Sequence, residues 1–211
     1  MDDIVKQALA RWPNVPSCTG WLRLDARGQW RLRDEAEQAA GAPGTPIRHE
    51  ALIAFINRNY ERDDQGQWFF QNGPQCVYVE LEYAPWIVRL ANVPSAPSVD
   101  GVDGALTLTD HTGHAFEPVA AFIDESGSVL FADAGGLGHV PRVALLHDHD
   151  LGLFAEHATL ADDGQSGTFH WRTDAPLPLQ TLARADVPSR FAFVPSPEHA
   201  EKAARATNAA Q

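Results

Sequence analysis

Asp25-Ala26-Arg27-Gly28-Gln29-Trp30 and Asp63-Asp64-Gln65-Gly66-Gln67-Trp68 are one phrase written twice. In each copy an Asp and a Gly three residues apart stand between β-forming and aromatic residues. Gly takes positive φ without strain, and Asp hydrogen-bonds its own backbone, so the pair suits a tight turn. The phrase predicts a β-hairpin used twice, and it fixes the building plan while saying little about chemistry.

Working outward from the first copy, Trp21-Leu22-Arg23-Leu24 and Trp30-Arg31-Leu32-Arg33 alternate as a half-buried hairpin should. Before it, Ile4, Val5, Ala8, Leu9 and Trp12 fall at helical spacing behind Asp2 and Asp3, with Pro13 closing the segment. After it, Asp34 to Pro46 is rich in Ala, Glu, Gly and Pro and reads as a loop. From Arg48 to about Tyr60, Leu52, Ile53, Phe55, Ile56 and Asn59 mark one face of a second helix that delivers the chain into the second copy.

Val77-Tyr78-Val79-Glu80-Leu81-Glu82-Tyr83 alternates strictly, the clearest strand pattern in the chain. Pro85 breaks it, and Trp86 to Leu90 resumes as another strand. Pro94 to Ser98 reads as a linker, followed by a turn-rich stretch to Gly104.

The second half offers strands at Ala105–Leu108, Val119–Ile123, Val129–Phe131, Val140–Leu146, Thr168–Trp171 and Phe191–Val194, with further turns at Asp124-Glu125-Ser126-Gly127 and Asp163-Gly164. A short helix from Asp150 to Ala158 takes Asp150 as its N-cap. The expected organisation is α+β: an N-terminal lobe over 1–94, a β-rich lobe over 95–195, both made of antiparallel hairpins with short helices, and a tail over 196–211. Ser196-Pro197 starts that tail as a frayed helix.

Composition narrows the function classes. A net charge of -12 over 211 residues, with Lys6 and Lys202 the only lysines, argues against nonspecific nucleic-acid binding and anionic membrane surfaces. Cys18 and Cys76 stand far apart, in no metal or redox pattern. An acidic start at Met1-Asp2-Asp3 and the lack of a long apolar run predict a cytoplasmic protein without a membrane span.

Gly28-Gln29-Trp30, Pro46-Ile47-Arg48, Leu52 to Phe55, Arg62 to Trp68 and Glu80-Leu81-Glu82-Tyr83-Ala84-Pro85-Trp86 together resemble an uncharacterised bacterial family of unknown function. The resemblance is carried mainly by Gly20 to Val93. It implies duplicated α+β domains, the C-terminal one superficially like pleckstrin-homology folds. It also implies a ligand at the domain interface and a role in signalling, with no activity assigned.

Four constellations are chemically competent. His147-Asp148-His149-Asp150 presents four metal-ligand types, and in a strand both histidines share a face. The plainer alternative is a strand end followed by a helix cap. Thr109-Asp110-His111-Thr112-Gly113-His114 sets an Asp beside histidines, and is equally a good turn. Glu80 and Glu82 stand about 7 Å apart on one strand face, where Arg89 or solvent is the expected partner. Asn57-Arg58-Asn59-Tyr60 offers a guanidinium, amides and a phenol for an anionic or planar ligand, or a helix C-cap.

Gly135-Gly136-Leu137-Gly138 lacks the Lys-Ser/Thr of a phosphate loop, and no Gly-x-Ser-x-Gly elbow occurs. No catalytic residue, metal or cofactor is therefore assigned, and the oligomeric state is left open. The leading expectation is a non-enzymatic ligand-binding or regulatory protein. Its site lies between the lobes and draws on Arg58, Tyr60, Tyr83, Trp86, Asp110 and His111. The alternatives are a metal-dependent hydrolase using His147 and His149, and a protein-interaction module.

Overall fold

The Asp-x-x-Gly turn of the repeated phrase forms four times in the structure, twice in each of two compact units. The computed structural model describes residues 1–93, 105–135, 140–161, 166–172 and 174–209. The expected linker at Pro94 to Ser98, the turn-rich stretch to Gly104, the turn at Asp163-Gly164 and Gly136-Leu137-Gly138 lie outside them.

Each turn repeats one hydrogen-bond set. The Asp25 carboxylate accepts the N–H groups of Arg27 (3.0 Å) and Gln29 (2.8 Å), and the Asp63 carboxylate those of Gln65 (2.9 Å) and Gln67 (2.8 Å). Asp124 takes Ser126 and Ser128 (both 2.8 Å), and Asp110 takes Thr112 (2.9 Å) and His114 (3.2 Å). In all four the glycine N–H returns to the Asp carbonyl. That glycine has φ between 76° and 93°, where a side chain would be strained.

In the first unit, α1 (Asp3–Arg11) precedes β1 (Cys18–Leu24) and β2 (Trp30–Leu32), then α2 (Glu35–Ala39), β3 (Thr45–Pro46), α3 (Glu50–Arg58), β4 (Tyr60–Arg62), β5 (Trp68–Asn72) and β6 (Gln75–Leu81). The six strands form one sheet in the order β3-β2-β1-β6-β5-β4. Hairpins β1–β2 and β4–β5 are antiparallel, whereas β1 pairs with β6 in parallel.

Asp34 to Pro46 is not a plain loop. Asp34 and Glu37 form a reciprocal capping box that starts α2, and Thr45–Pro46 adds the edge strand β3.

The tryptophans that end the two phrases flank Tyr60. Its ring centroid lies 5.1 Å from that of Trp30 and 4.8 Å from that of Trp68, and its hydroxyl donates to the Pro85 carbonyl at 3.0 Å. Ile56, Phe70, Val79, Leu22 and Leu24 complete this core.

The second unit holds β7 (Trp86–Asn92), β8 (Leu106–Asp110), β9 (Ala120–Ile123), β10 (Val129–Ala132), β11 (Val143–Leu146), α4 (Leu151–Glu156), β12 (Ala158–Leu160), β13 (Gly167–Phe169), β14 (Leu177–Thr181) and α5 (Val187–Arg190). Its eight-stranded sheet runs β12-β13-β14-β9-β10-β11-β7-β8, with parallel pairs at β11–β7 and β14–β9. Phe131, Phe154 and Phe169 pack ring on ring at its centre, the last two 4.8 Å apart.

Two boundaries differ from the expectation. The units are Met1–Pro85 with Ala192–Gln211, and Trp86–Phe191, so the division falls before Trp86 rather than at 94/95. The cause is pairing: β7 hydrogen-bonds to β11 and β8 of the second sheet.

The tail also returns to the first unit. Phe191–Val194 forms no strand, and Ala192 takes φ 51°. Pro195 O accepts the Leu81 N–H at 2.8 Å, and helix α6 (Pro197–Ala209) follows. Buried Glu80 receives the Ser196 hydroxyl (2.5 Å) and the Glu198 N–H (3.0 Å), which anchors the start of α6.

Replacing Asp63 by Ala removes a charged acceptor from two backbone N–H groups and is expected to cost about 1–3 kcal/mol in urea unfolding. Asp64→Ala, at an exposed neighbour outside that set, should change stability by under about 0.5 kcal/mol. Equal losses in the two variants would show that the carboxylate does not hold the turn.

Candidate functional site

The first hairpin and the segment before α3 enclose a surface pocket of about 320 Å³ within the N-terminal unit. Gly28-Gln29-Trp30 forms one wall, Pro46-Ile47-Arg48 the other, and Ile53 of α3 closes it.

Local bonding sets both walls. The Ile47 N–H donates to Trp30 O at 2.8 Å, continuing the β2–β3 pairing past the edge strand. Arg31 spans the two, its Nε donating to the Asp25 carboxylate at 2.7 Å and its Nη1 to the Gly44 carbonyl at 3.0 Å. The Trp30 indole N–H is committed to Asn57 Oδ1 at 2.7 Å and the residue is buried, so Trp30 brings the pocket no free donor.

Arg48 is exposed and has no hydrogen bond, ion pair or ring contact among the described residues. The pocket thus joins apolar Trp30, Pro46, Ile47 and Ile53 to one uncommitted guanidinium and the Gln29 amide. This combination can hold a small molecule that carries an anionic group on an apolar body.

The six residues expected from the sequence fall three to each unit. In the first, Arg58 pairs with Asp2 at 3.3 Å, Tyr60 is the core residue between Trp30 and Trp68, and Tyr83 is buried. Burial holds the Tyr60 phenol well above its ordinary pKa.

In the second unit, Trp86, Asp110 and His111 do come together. The Trp86 and His111 rings are 5.5 Å apart, and Arg142 lies over Trp86 at 5.3 Å while contacting Asp110 at 3.3 Å and Asp133 at 2.6 Å. Asp110 is the carboxylate of the third of the four hairpin turns along the chain, and His111 Nδ1 accepts the Ile87 N–H at 3.3 Å. This bonding places the imidazole proton on Nε2. Burial lowers the His111 pKa to about 4 against the opposing pull of Asp110.

The His147–His149 pair stands at a strand end, as the plainer alternative has it, but the cap is His147 itself rather than Asp148 or Asp150, and His147 is buried rather than at the surface. β11 ends at Leu146, His147 accepts the His149 N–H at 3.2 Å as a cap, and burial and the Arg89 charge lower its pKa. Asp150 does not cap α4 with its side chain. It binds Arg89 through two bonds of 2.6 and 2.9 Å and accepts the Leu90 N–H at 3.0 Å. Burial raises its pKa, but these donors outweigh that and leave it lowered.

Arg89 is therefore not the partner of the Glu80–Glu82 face; Glu80 anchors α6, and Glu82 pairs with Arg23 at 3.3 Å. Among the described residues no group of three His, Cys, Asp or Glu side chains could hold a metal ion, and no helix is long and apolar enough to cross a membrane. Both thiols have raised pKa values: burial raises Cys18, with the Cys76 charge adding, and burial raises Cys76 against its bond to Gln71.

The sequence reading missed Gln29, Trp30, Arg48 and Ile53 as pocket residues. The available signal was that Gly28-Gln29-Trp30, Pro46-Ile47-Arg48 and Leu52 to Phe55, quoted for the family resemblance, are the segments that line the cavity.

His111 gives a pH test of the second cluster. Between about 4 and 6.5 the unfolded histidine carries a proton that the folded one lacks, so stability falls as pH drops through that window. A proton NMR titration should find the His111 midpoint near 4, and His111→Gln should flatten the slope between those limits. A midpoint between about 6 and 7, the ordinary range, would remove the buried-neutral assignment.

No curated protein matches the chain. Among solved structures it is similar to a DUF1285 family protein from Silicibacter pomeroyi DSS-3, with a TM-score of 0.45 and 16% identity over 86% of this chain and 97% of that one. It is also similar to a DUF1285 family protein from Shewanella baltica OS155, with a TM-score of 0.39 and 16% identity over 65% of this chain and 91% of that one. A family model described as "Protein of unknown function (DUF2946)" matches residues 1–198, nearly the whole chain, and the protein belongs to that family.

Proposed function

We propose that this protein is a non-enzymatic ligand-binding protein with a regulatory role in the cytoplasm, and that its site is the pocket beside the first hairpin turn. The observation that carries the reading is Arg48, a guanidinium without a partner among the described residues, at a concave, partly apolar surface. Arg31, Arg33, Arg58, Arg89 and Arg142 each pair with a carboxylate. In a chain with 28 acidic and 16 basic residues, a cation left over beside a cavity is where an anionic ligand gains most.

The binding reading is favoured over hydrolysis because the groups that hydrolysis needs are engaged in structure. His147 caps a turn, Glu80 anchors a helix, and Asp110 holds a hairpin. Two free thiols with raised pKa values suit a reducing compartment.

The test is a screen of small anionic and planar compounds followed by amide chemical shifts on labelled protein. Compounds that bind are expected to move the Gln29, Arg48 and Ile53 amides, and Ile53→Trp, which fills the pocket with an indole, should abolish those shifts while leaving the fold intact. Hits that instead move Trp86 and His111 would overturn the assignment of the site, as would hits indifferent to the Ile53 change.

A further inference from the structure

We infer that the pocket selects a small monocarboxylate with a single-ring or branched apolar body, its carboxylate held by Arg48 and the Gln29 amide. This rests on the reading of the pocket as the binding site and adds the ligand's charge, headgroup and size.

Charge comes first. Arg48 is the one arginine among the lining residues, and Arg31, next to Trp30 in the chain, is spent on the Asp25 carboxylate and the Gly44 carbonyl. Arg48 alone is left to meet a ligand anion, so the wall supplies one positive charge. Asp25 and Glu50 are close in the chain to the two walls, and the protein carries a net charge of -12. A dianionic phosphate would meet one cation in a negative surround, whereas a monoanion is matched one to one.

The headgroup follows from geometry. A guanidinium presents two parallel N–H groups to the two oxygens of a carboxylate, and a neighbouring amide N–H can take a remaining lone pair. Tetrahedral phosphate sites draw on several backbone N–H groups at a helix N-terminus or nest. Here the N–H groups of the adjacent turn are consumed by the Asp25 carboxylate and carbonyl.

Size and polarity set the rest. A volume of about 320 Å³ lies at the small end of ligand sites. The Trp30 indole N–H is already bonded to Asn57, and Pro46, Ile47 and Ile53 bring no side-chain donor. A polar body such as a sugar or nucleoside would lose hydrogen bonds to water on entry and regain few, while a ring or branched chain loses none.

The experiment measures binding of benzoate, the neutral isostere benzamide, and inorganic phosphate by calorimetry and amide shifts on the full chain at low ionic strength. Benzoate is expected to move the Gln29, Arg48 and Ile53 amides, and benzamide to bind at least about tenfold more weakly. Arg48→Gln should reduce benzoate affinity about tenfold or more, with partial recovery in Arg48→Lys. Arg48 is exposed, so neither variant is expected to unfold the protein.

Benzamide binding as tightly as benzoate, or benzoate binding indifferent to Arg48→Gln, would overturn the carboxylate assignment and leave the pocket itself standing. Phosphate binding more tightly than benzoate through Arg48 would replace the ligand class. Shifts at none of the three amides with any probe would overturn both this inference and the reading on which it rests.

Discussion

Everything in both units depends on an aspartate carboxylate closing a hairpin on itself. At Asp25, Asp63, Asp110 and Asp124 one oxygen takes two backbone N–H groups that point into the turn and have no strand partner. Asp25, Asp110 and Asp124 are themselves buried, a costly location for a charge unless donors surround it. The donors are built into the turn, so the charge and the unpaired N–H groups satisfy each other. Because the turn has fixed length, it also fixes the register of the strands it joins, and register decides which side chains face the core. Trp30 and Trp68 each stand five residues after their Asp, and both arrive against Tyr60.

The fold was legible where its signals are local. The repeated phrase and the 3.6-residue spacing before Asn59 are local and became the elements expected, while the alternation from Val77 to Tyr83 became a strand that ends at Leu81 and buries Glu80 beside Val79. The capping box at Asp34 and Glu37 was equally local, but the Gly and Pro residues that follow it masked a helix of one turn and a half. What was not legible depends on distant partners. Trp86 to Asn92 reads as a strand from its own residues, yet only its pairing with Val143–Leu146 assigns it to the second sheet. The alanine-rich segment after Pro197 has little apolar surface of its own, and Glu80, more than a hundred residues earlier, gives it a place through Ser196 and Glu198.

The same distinction governs the site. Asp110, His111 and Tyr60 attracted attention because their side chains are chemically versatile, and Asp110 and Tyr60 are spent on holding the fold. Asp110 shares the Asp-x-x-Gly spacing of the other three turns, which is the better predictor of its role than the histidines beside it. Arg58 has the chemistry of an anion receptor, but the carboxylate of Asp2 already occupies it. A sequence lists functional groups without saying which are engaged, and engagement is settled by tertiary contacts.

Arginine dominates the positive charge of this chain, and the structure gives that bias a physical use. A guanidinium can bind a carboxylate and still donate to a carbonyl, as Arg31 does between Asp25 and Gly44, or bridge two carboxylates while lying over an aromatic ring, as Arg142 does between Asp133, Asp110 and Trp86. Lysine, a point charge on a flexible stem, makes none of these bridges with comparable direction. With acids in excess of bases, carboxylates compete for guanidinium groups and most arginines near the cores are claimed. Arg48 follows an edge strand of two residues, on the rim of the sheet. Asp25, the buried carboxylate of the adjacent hairpin, is engaged by its own turn and by Arg31. The turn that shapes one wall of the pocket thus engages its own carboxylate, while Arg48 on the other wall has no partner among the described residues.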